Sequence, residues 1–248
     1  MEPQLLFLVR HGETDMNLAG RLQGRGVNAH LNGNGLMQAE ELGRFVRNVP
    51  FDTVTSSSLH RAHETAMRVA EQNTECLMRA QENGKPDRGG RAAFCEPKDD
   101  QPATQADFCC GDRAQVRVRK LDGLDELSWG ELEGHDSSQE PWKSKLADLK
   151  AGWDAGQFDR AAEGGESLLE VEARSRVAVE ACLDMGQHLN LLVSHGRTLR
   201  IMMLSLSGLG LDQINSIGKI PNSGLYVVEA RRSAPGEPRS YRLLTPNL

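Results

Sequence analysis

The feature that most constrains the fold is a short apolar run close to the start of the chain. Residues 4–9 read Gln4-Leu5-Leu6-Phe7-Leu8-Val9 and stop on Arg10-His11-Gly12. A strand with one wet face alternates polar and apolar residues. A strand apolar on both sides must be covered on both sides, the situation of a parallel sheet flanked by helices. Leu189-Asn190-Leu191-Leu192-Val193 is a second run of this kind, ending on Ser194-His195-Gly196. The first run falls well short of the roughly 18 apolar residues a membrane span requires. It also lacks a basic flank, so no signal peptide is expected.

The stretches between these runs read as helices. Leu36, Ala39, Leu42, Val46 and Val49 recur at helical spacing, with Pro50 closing the helix. Residues 52–55 form a short strand. Ser56, Ser57 and Ser58 offer capping oxygens to a helix striped by Leu59, Ala62, Ala66, Val69 and Ala70. Residues 73–116 break the pattern, being rich in Gly, Pro and charged side chains, and are expected to form a flexible surface insertion rather than a domain. Structure resumes near 116–121. A helix begins at Ser167 and carries Leu168, Val171, Ala178, Cys182 and Met185 on one side. Another carries Leu199, Met202, Met203 and Leu206. Residues 224–229 and 239–243 read as the last strands. The alternation predicts an α/β fold: one domain over 1–248, a three-layer α/β/α sandwich with a mainly parallel central sheet.

Ligands of such folds sit at the carboxyl ends of the strands. Here those ends carry Arg10-His11, Ser56 to Arg61, and Ser194-His195. Any one of these has an ordinary explanation, a hydrogen-bonded histidine or a solvated arginine; their convergence does not. Two histidines and two arginines suit a phosphoryl group, whose three oxygens accept guanidinium forks and whose charge favours a helix N-terminus. A neutral imidazole can attack phosphorus, and nearby arginines push it towards the neutral form. Transfer also needs an acid for the leaving oxygen. Asp125, Glu126, Glu131 and Glu133 are candidates that spacing alone does not separate.

The formal charge of −6 argues against nucleic acid or an acidic membrane as partner. Five cysteines, two of them adjacent, fit reduced thiols and a cytoplasmic location. No Cys-x-x-Cys or His-x-x-x-His spacing occurs, so no metal is expected.

Arg10-His11-Gly12-Glu13-Thr14, with Asn17 and Arg21-Leu22-Gln23-Gly24, resembles the opening block of the histidine phosphatase (phosphoglycerate mutase-like) superfamily. Residues 57–66, 124–134 and 193–200 resemble its second, acid and closing histidine blocks, and Gly164-Gly165-Glu166-Ser167 resembles a helix start of its phosphatase branch. The resemblance implies a phosphoglycerate mutase-like fold and a phosphatase acting without metal or cofactor on a small phosphorylated substrate, possible sugar phosphates included. It implies His11 as the nucleophile, transiently phosphorylated. Arg10, Arg61 and His195 would clamp the phosphoryl oxygens, and Glu126 would be the acid. Asn17, Gln23, Gly24 and the Gly196 N–H would approach the substrate. Pro221-Asn222-Ser223-Gly224 resembles a late turn of related sugar bisphosphatases.

Two departures stand out. Ala29-His30-Leu31-Asn32-Gly33-Asn34-Gly35 replaces the family's Pro-Leu-Thr-like entry to its first helix, and Arg197 stands where many members have a small residue. The competing activities are a cofactor-dependent phosphoglycerate mutase and an inactive regulatory binding module. Leu127-Ser128-Trp129-Gly130 after the acid, with no Arg-Arg pair between 135 and 170, favours the phosphatase.

Overall fold

The first strand, β1 (Gln4–Arg10), is apolar on both faces because it is buried on both. Leu6 and Leu8 point to one side, where they meet residues of α5 (Leu168–Leu183) and α6 (Gly196–Leu206): Val179, Leu183, Leu199 and Met202. Phe7 and Val9 point to the other, against Leu42 of α2 (Gly33–Phe45) and Ala62, Ala66 and Val69 of α3 (His60–Glu82). Each large aliphatic side chain so buried contributes about 1.5–3 kcal/mol, and the period-two alternation of β1 assigns them to two separate cores. Three layers follow. The protein is described by a computed structural model covering residues 2–82, 117–234 and 236–245.

The remaining strands are β2 (Thr53–Ser56), β3 (Val118–Lys120), β4 (Leu189–Ser194), β5 (Leu225–Arg232) and β6 (Arg239–Thr245). Their order in the sheet is β3-β2-β4-β1-β5-β6. The first four are mutually parallel, whereas β5 runs antiparallel to β1 and β6 antiparallel to β5. The sheet is therefore mixed and mainly parallel. A consequence fixes the site. The chain leaves β1 towards α2 on one face, and leaves the neighbouring β4 towards α6 on the other. Adjacent parallel strands whose connections diverge open a crevice at their carboxyl ends, and β1 and β4 end there on His11 and His195.

The helix starts follow the expected chemistry. Ser167 and Glu170 form a capping box on α5, Thr14 and Asn17 another on the one-turn α1 (Asp15–Leu18), and the Asn32 side chain accepts from Gly35 N–H at α2.

Two expectations need correction, and one element is an addition. The helix carrying Leu36 to Val49 ends at Phe45; Val46 is its cap, and 46–49 form a turn before Pro50. The insertion does not begin at 73, because α3 continues through Glu82. Asn73 holds that extension by donating to the carbonyls of Val46 and Val49, a polar tether that hydrophobic periodicity does not register. The rest of the expected insertion, 83–116, lies outside the described residues. Finally, α4 (Trp142–Asp154) was not foreseen. Its Leu146, Leu149 and Trp153 pack with Leu127, Trp129, Leu168, Ile201 and Leu204 in a third cluster beside the acid block.

Candidate active site

His11 lies immediately beyond β1 and is 2% exposed. Its backbone N–H donates to the Ser194 carbonyl (3.0 Å), tying the two strand ends together. Its Nδ1 lies 2.6 Å from the Gly12 carbonyl. A carbonyl only accepts, so Nδ1 carries the proton and Nε2 keeps its lone pair. Burial first, then the Arg61 and Arg10 cations, holds this imidazole well below its ordinary titration range. His11 is thus neutral at physiological pH and oriented by its backbone contact. Gly12 has to be glycine: an added Cβ would lie 2.5 Å from the Gly35 carbonyl at the start of α2. Its N–H donates to Thr65 Oγ1 (3.0 Å), which fastens the loop to α3.

Arg61, in the first turn of α3, is completely buried. Its Nη1 donates to Val27 O (2.7 Å) and Nη2 to Gly24 O (3.3 Å). Burial lowers its pKa to about 10, against the opposing pull of Glu126, Asp125 and Glu133, and it stays a cation. Arg10 Nη1 donates to Ile220 O (2.6 Å). In both guanidinium groups Nε is buried without a protein partner, and so are Gln23 Nε2 and His195 Nδ1. Gln23 is oriented by Thr14, whose hydroxyl donates to Gln23 Oε1 (3.0 Å). Buried polar nitrogens are rarely left unpaired in a folded protein, yet four of the residues singled out in the sequence share this property. Such a constellation has the form of a receptor for an anion rich in acceptors.

His195 is fully buried, with its ring centroid 5.1 Å from that of His11. Burial, then Arg61, His11, Arg10 and Arg174, pushes its pKa well below the usual value. Its Nε2 lies 2.7 Å from Ser57 Oγ. Gly196, the first residue of α6, contributes one of the N–H groups that a helix start leaves without an intrahelical acceptor. Asn17 is held in place rather than pointed freely: its Oδ1 accepts from Thr14 N–H (3.2 Å) and from Asn222 Nδ2 (3.2 Å). Asn222 also donates to His11 O (3.0 Å), so the Pro221–Gly224 turn braces the loop that carries His11. Gly24 is a close-approach glycine, since an added Cβ would lie 2.0 Å from Glu133 Oε1.

The structure separates the four carboxylates that spacing left open. Glu131 pairs with Lys145 at the surface. Glu133 accepts from Trp129 N–H (2.9 Å) and Ser128 Oγ (3.3 Å). Asp125 accepts from Ser57 Oγ (2.7 Å) and Ser58 N–H (2.8 Å). Glu126 is 7% exposed and acts electrostatically on both Arg10 and Arg61. Its carboxylate accepts from Leu127 N–H (3.0 Å), Thr198 N–H (3.0 Å), Thr198 Oγ1 (3.1 Å) and Arg197 N–H (3.2 Å), and so caps the start of α6.

Arg174 was not identified from the sequence, and Ser57, Ser194 and Arg197 were singled out there without the contacts they make. Arg174 of α5 donates to the carbonyls of Gly123, Asp125 and Glu126 while pairing with Glu166, and so fixes the acid segment's backbone. Ser194 Oγ donates to Leu124 O (2.6 Å). Ser57 was read only as a capping oxygen. The only available signal was its place in the serine run after β2. Arg197 lies beside the tilted Trp129–Trp153 pair, 5.6 Å from each ring centroid, and its backbone N–H donates to the Glu126 carboxylate.

The fold itself is an established one. It superposes on the native mycobacterial glucosyl-3-phosphoglycerate phosphatase with a TM-score of 0.72 at 22% identity, over 98% of both chains. It superposes on YhfR of Bacillus stearothermophilus with a TM-score of 0.70 at 22% identity, over 98% of this chain and 96% of that one. In sequence, the probable phosphoglycerate mutase GpmB of Erwinia tasmaniensis is 29% identical over 205 residues, 82% of this chain and 75% of its own length. The profile of the histidine phosphatase superfamily (branch 1) matches residues 6–82 and 105–238. The chain belongs to that superfamily. The profile passes over 83–104, within the expected insertion. Among the described residues, no helix is long and apolar enough to cross a membrane.

Proposed function

We propose that the protein is a metal-independent phosphatase of a small phosphate monoester, acting through a phosphohistidine on His11. The observation that carries this reading is the set of buried nitrogens without protein partners, Arg10 Nε, Arg61 Nε, Gln23 Nε2 and His195 Nδ1, around a neutral imidazole. In the first step His11 Nε2 bonds to phosphorus, the bond to the leaving oxygen breaks, and Glu126 gives that oxygen its proton. In the second, water attacks phosphorus, its proton passes to Glu126, and the N–P bond returns its electron pair to Nε2. The cations and the start of α6 hold the equatorial charge throughout.

The names of the curated relatives favour a second reading, a mutase returning the phosphoryl group to an organic hydroxyl. Both readings share the first half-reaction and diverge in the acceptor. The test is inorganic phosphate release from phosphorylated sugars, glycerates, nucleotides and p-nitrophenyl phosphate in chelator. We expect release from some of them and a loss on the order of 10³-fold or more in His11→Ala, because such residues act as a unit. Near-normal turnover in that variant overturns the nucleophile assignment. Interconversion of phosphoglycerates without release gives the case to the mutase. The cytoplasmic location and the reading of the chain as a single domain belong to the same proposal.

A further inference from the structure

The hydrogen bonds around Ser57 leave one consistent arrangement of protons. Ser57 Oγ has a single hydrogen and two lone pairs. It lies 2.7 Å from Asp125 Oδ1, 2.7 Å from His195 Nε2 and 3.1 Å from Leu59 N. Leu59 N–H can only donate, and the Asp125 carboxylate only accepts. The serine hydrogen therefore goes to Asp125, and one lone pair accepts from Leu59. The other must accept from His195, which makes Nε2–H the protonated nitrogen of the ring. All three side chains are buried, at 0% (Ser57), 3% (Asp125) and 0% (His195) exposure. Asp125 is itself held by Ser58 N–H and Ser58 Oγ, with Arg25 Nε at 3.5 Å.

With Nε2 committed to Ser57, the neutral ring keeps a lone pair on Nδ1, the buried atom without a partner. A lone pair repels an oxyanion. We infer that Asp125 and Ser57 form a positioning relay that obliges His195 to take up a proton on Nδ1 whenever a phosphoryl dianion, or any tetrahedral oxyanion, enters the site. The inference rests on the anion-binding reading of the site given above. The charged and titratable groups facing this ring are Arg10 and His11 at the end of β1, Arg61 from α3, Arg174 from α5, and Asp125 through Ser57. Burial, and then the neighbouring cations, keeps the ring neutral. An arriving dianion reverses the local field, and the relay stabilises the imidazolium from its far side. The proton comes from solvent and leaves with the product, so binding and release of the anion are coupled to proton exchange. The carboxylate is the residue next to the presumed acid, and its assignment is distinct: it reaches the anion only through the serine and the histidine.

The experiment is calorimetric binding of sulfate, a dianion that does not itself titrate near neutrality, in buffers of different ionisation enthalpy from pH 6.5 to 8. His11→Gln is the reference, because it removes the other ring able to accept a proton. In that reference we expect uptake of about one proton per sulfate, and a Kd that rises up to tenfold per pH unit. Adding Ser57→Ala frees the ring to adopt the Nδ1–H tautomer, which can donate while neutral. Uptake then falls close to zero and the pH dependence flattens, with binding retained. Asp125→Ala acts likewise: with no acceptor left at 125, the Ser57 hydrogen turns to His195 Nε2. Having two variants guards against one that fails to fold. Unchanged proton uptake in a folded variant overturns the relay, as does buffer-independent heat in the reference. No sulfate binding by the unsubstituted protein overturns the anion site itself, and the relay with it.

Discussion

Two buried histidines that resist protonation make stability depend on pH in a direction that can be worked out. Burial and the neighbouring arginines hold both His11 and His195 well below the ordinary value of 6.5 in the fold. The unfolded chain is then the better proton acceptor. Stability is therefore complete above about pH 6.5 and declines as pH falls below it, the opposite sense to a histidine that gains a carboxylate partner. At pH 5.5 an unfolded imidazole of pKa 6.5 favours unfolding by RT ln 11, about 1.4 kcal/mol, whereas at pH 7.5 it contributes less than about 0.1 kcal/mol. The pair should thus cost about 2.7 kcal/mol between these two pH values. His11→Gln should remove about half of that loss. Urea denaturation of both proteins at pH 7.5, 6.5 and 5.5 measures it, and the carboxylate background common to the two cancels in the difference. Equal losses in both proteins would refute the claim that the folded site holds His11 neutral.

Other outcomes follow from single contacts. Glu126→Gln keeps one acceptor oxygen for the N–H groups of Leu127 and Thr198, so turnover should fall by about 10²–10⁴-fold while inhibition by inorganic phosphate changes little. A collapse of phosphate affinity with turnover intact would remove Glu126 from the acid role. Gly24→Ala forces a methyl group against Glu133 and the Leu127 carbonyl. We expect a loss of about 1–3 kcal/mol in denaturant titration, and an unshifted midpoint would show that the loop yields. Arg197→Ala removes the cation beside the tilted Trp129–Trp153 pair, which should cost about 1 kcal/mol and alter tryptophan emission; an unchanged spectrum and stability would show the cation idle.

The fold was legible wherever burial leaves a periodic trace. The strand cores at Leu6–Val9 and Leu191–Val193, and the capped start at Ser167, are written in apolar spacing and cap chemistry. The convergence of Arg10, His11, Arg61 and His195 followed from strand ends alone. What escaped was written in other terms. Helix α4 buries only a few large side chains among many charged ones, although Leu146, Leu149 and Trp153 fall at i, i+3 and i+7. The extension of α3 depends on Asn73 meeting backbone carbonyls of a distant turn, which no local pattern encodes. Glu126 could be chosen over Asp125 from the sequence only by resemblance. Their difference lies in which helix start and which serines the folded chain brings to each.

The carboxylate of Glu126 fastens the beginning of α6 with three backbone N–H groups and one hydroxyl among its donors. That helix, nearly all buried, joins two of the three hydrophobic clusters. Under the proposed acid role one side chain serves two masters, so mutational drift at position 126 is filtered for folding before it is ever filtered for chemistry. Change is freer at the Arg197 side chain, which borders Trp129 and Trp153 without anchoring a helix start. The acid proposed at 126 cannot migrate along the chain unless α6 first acquires another way to begin.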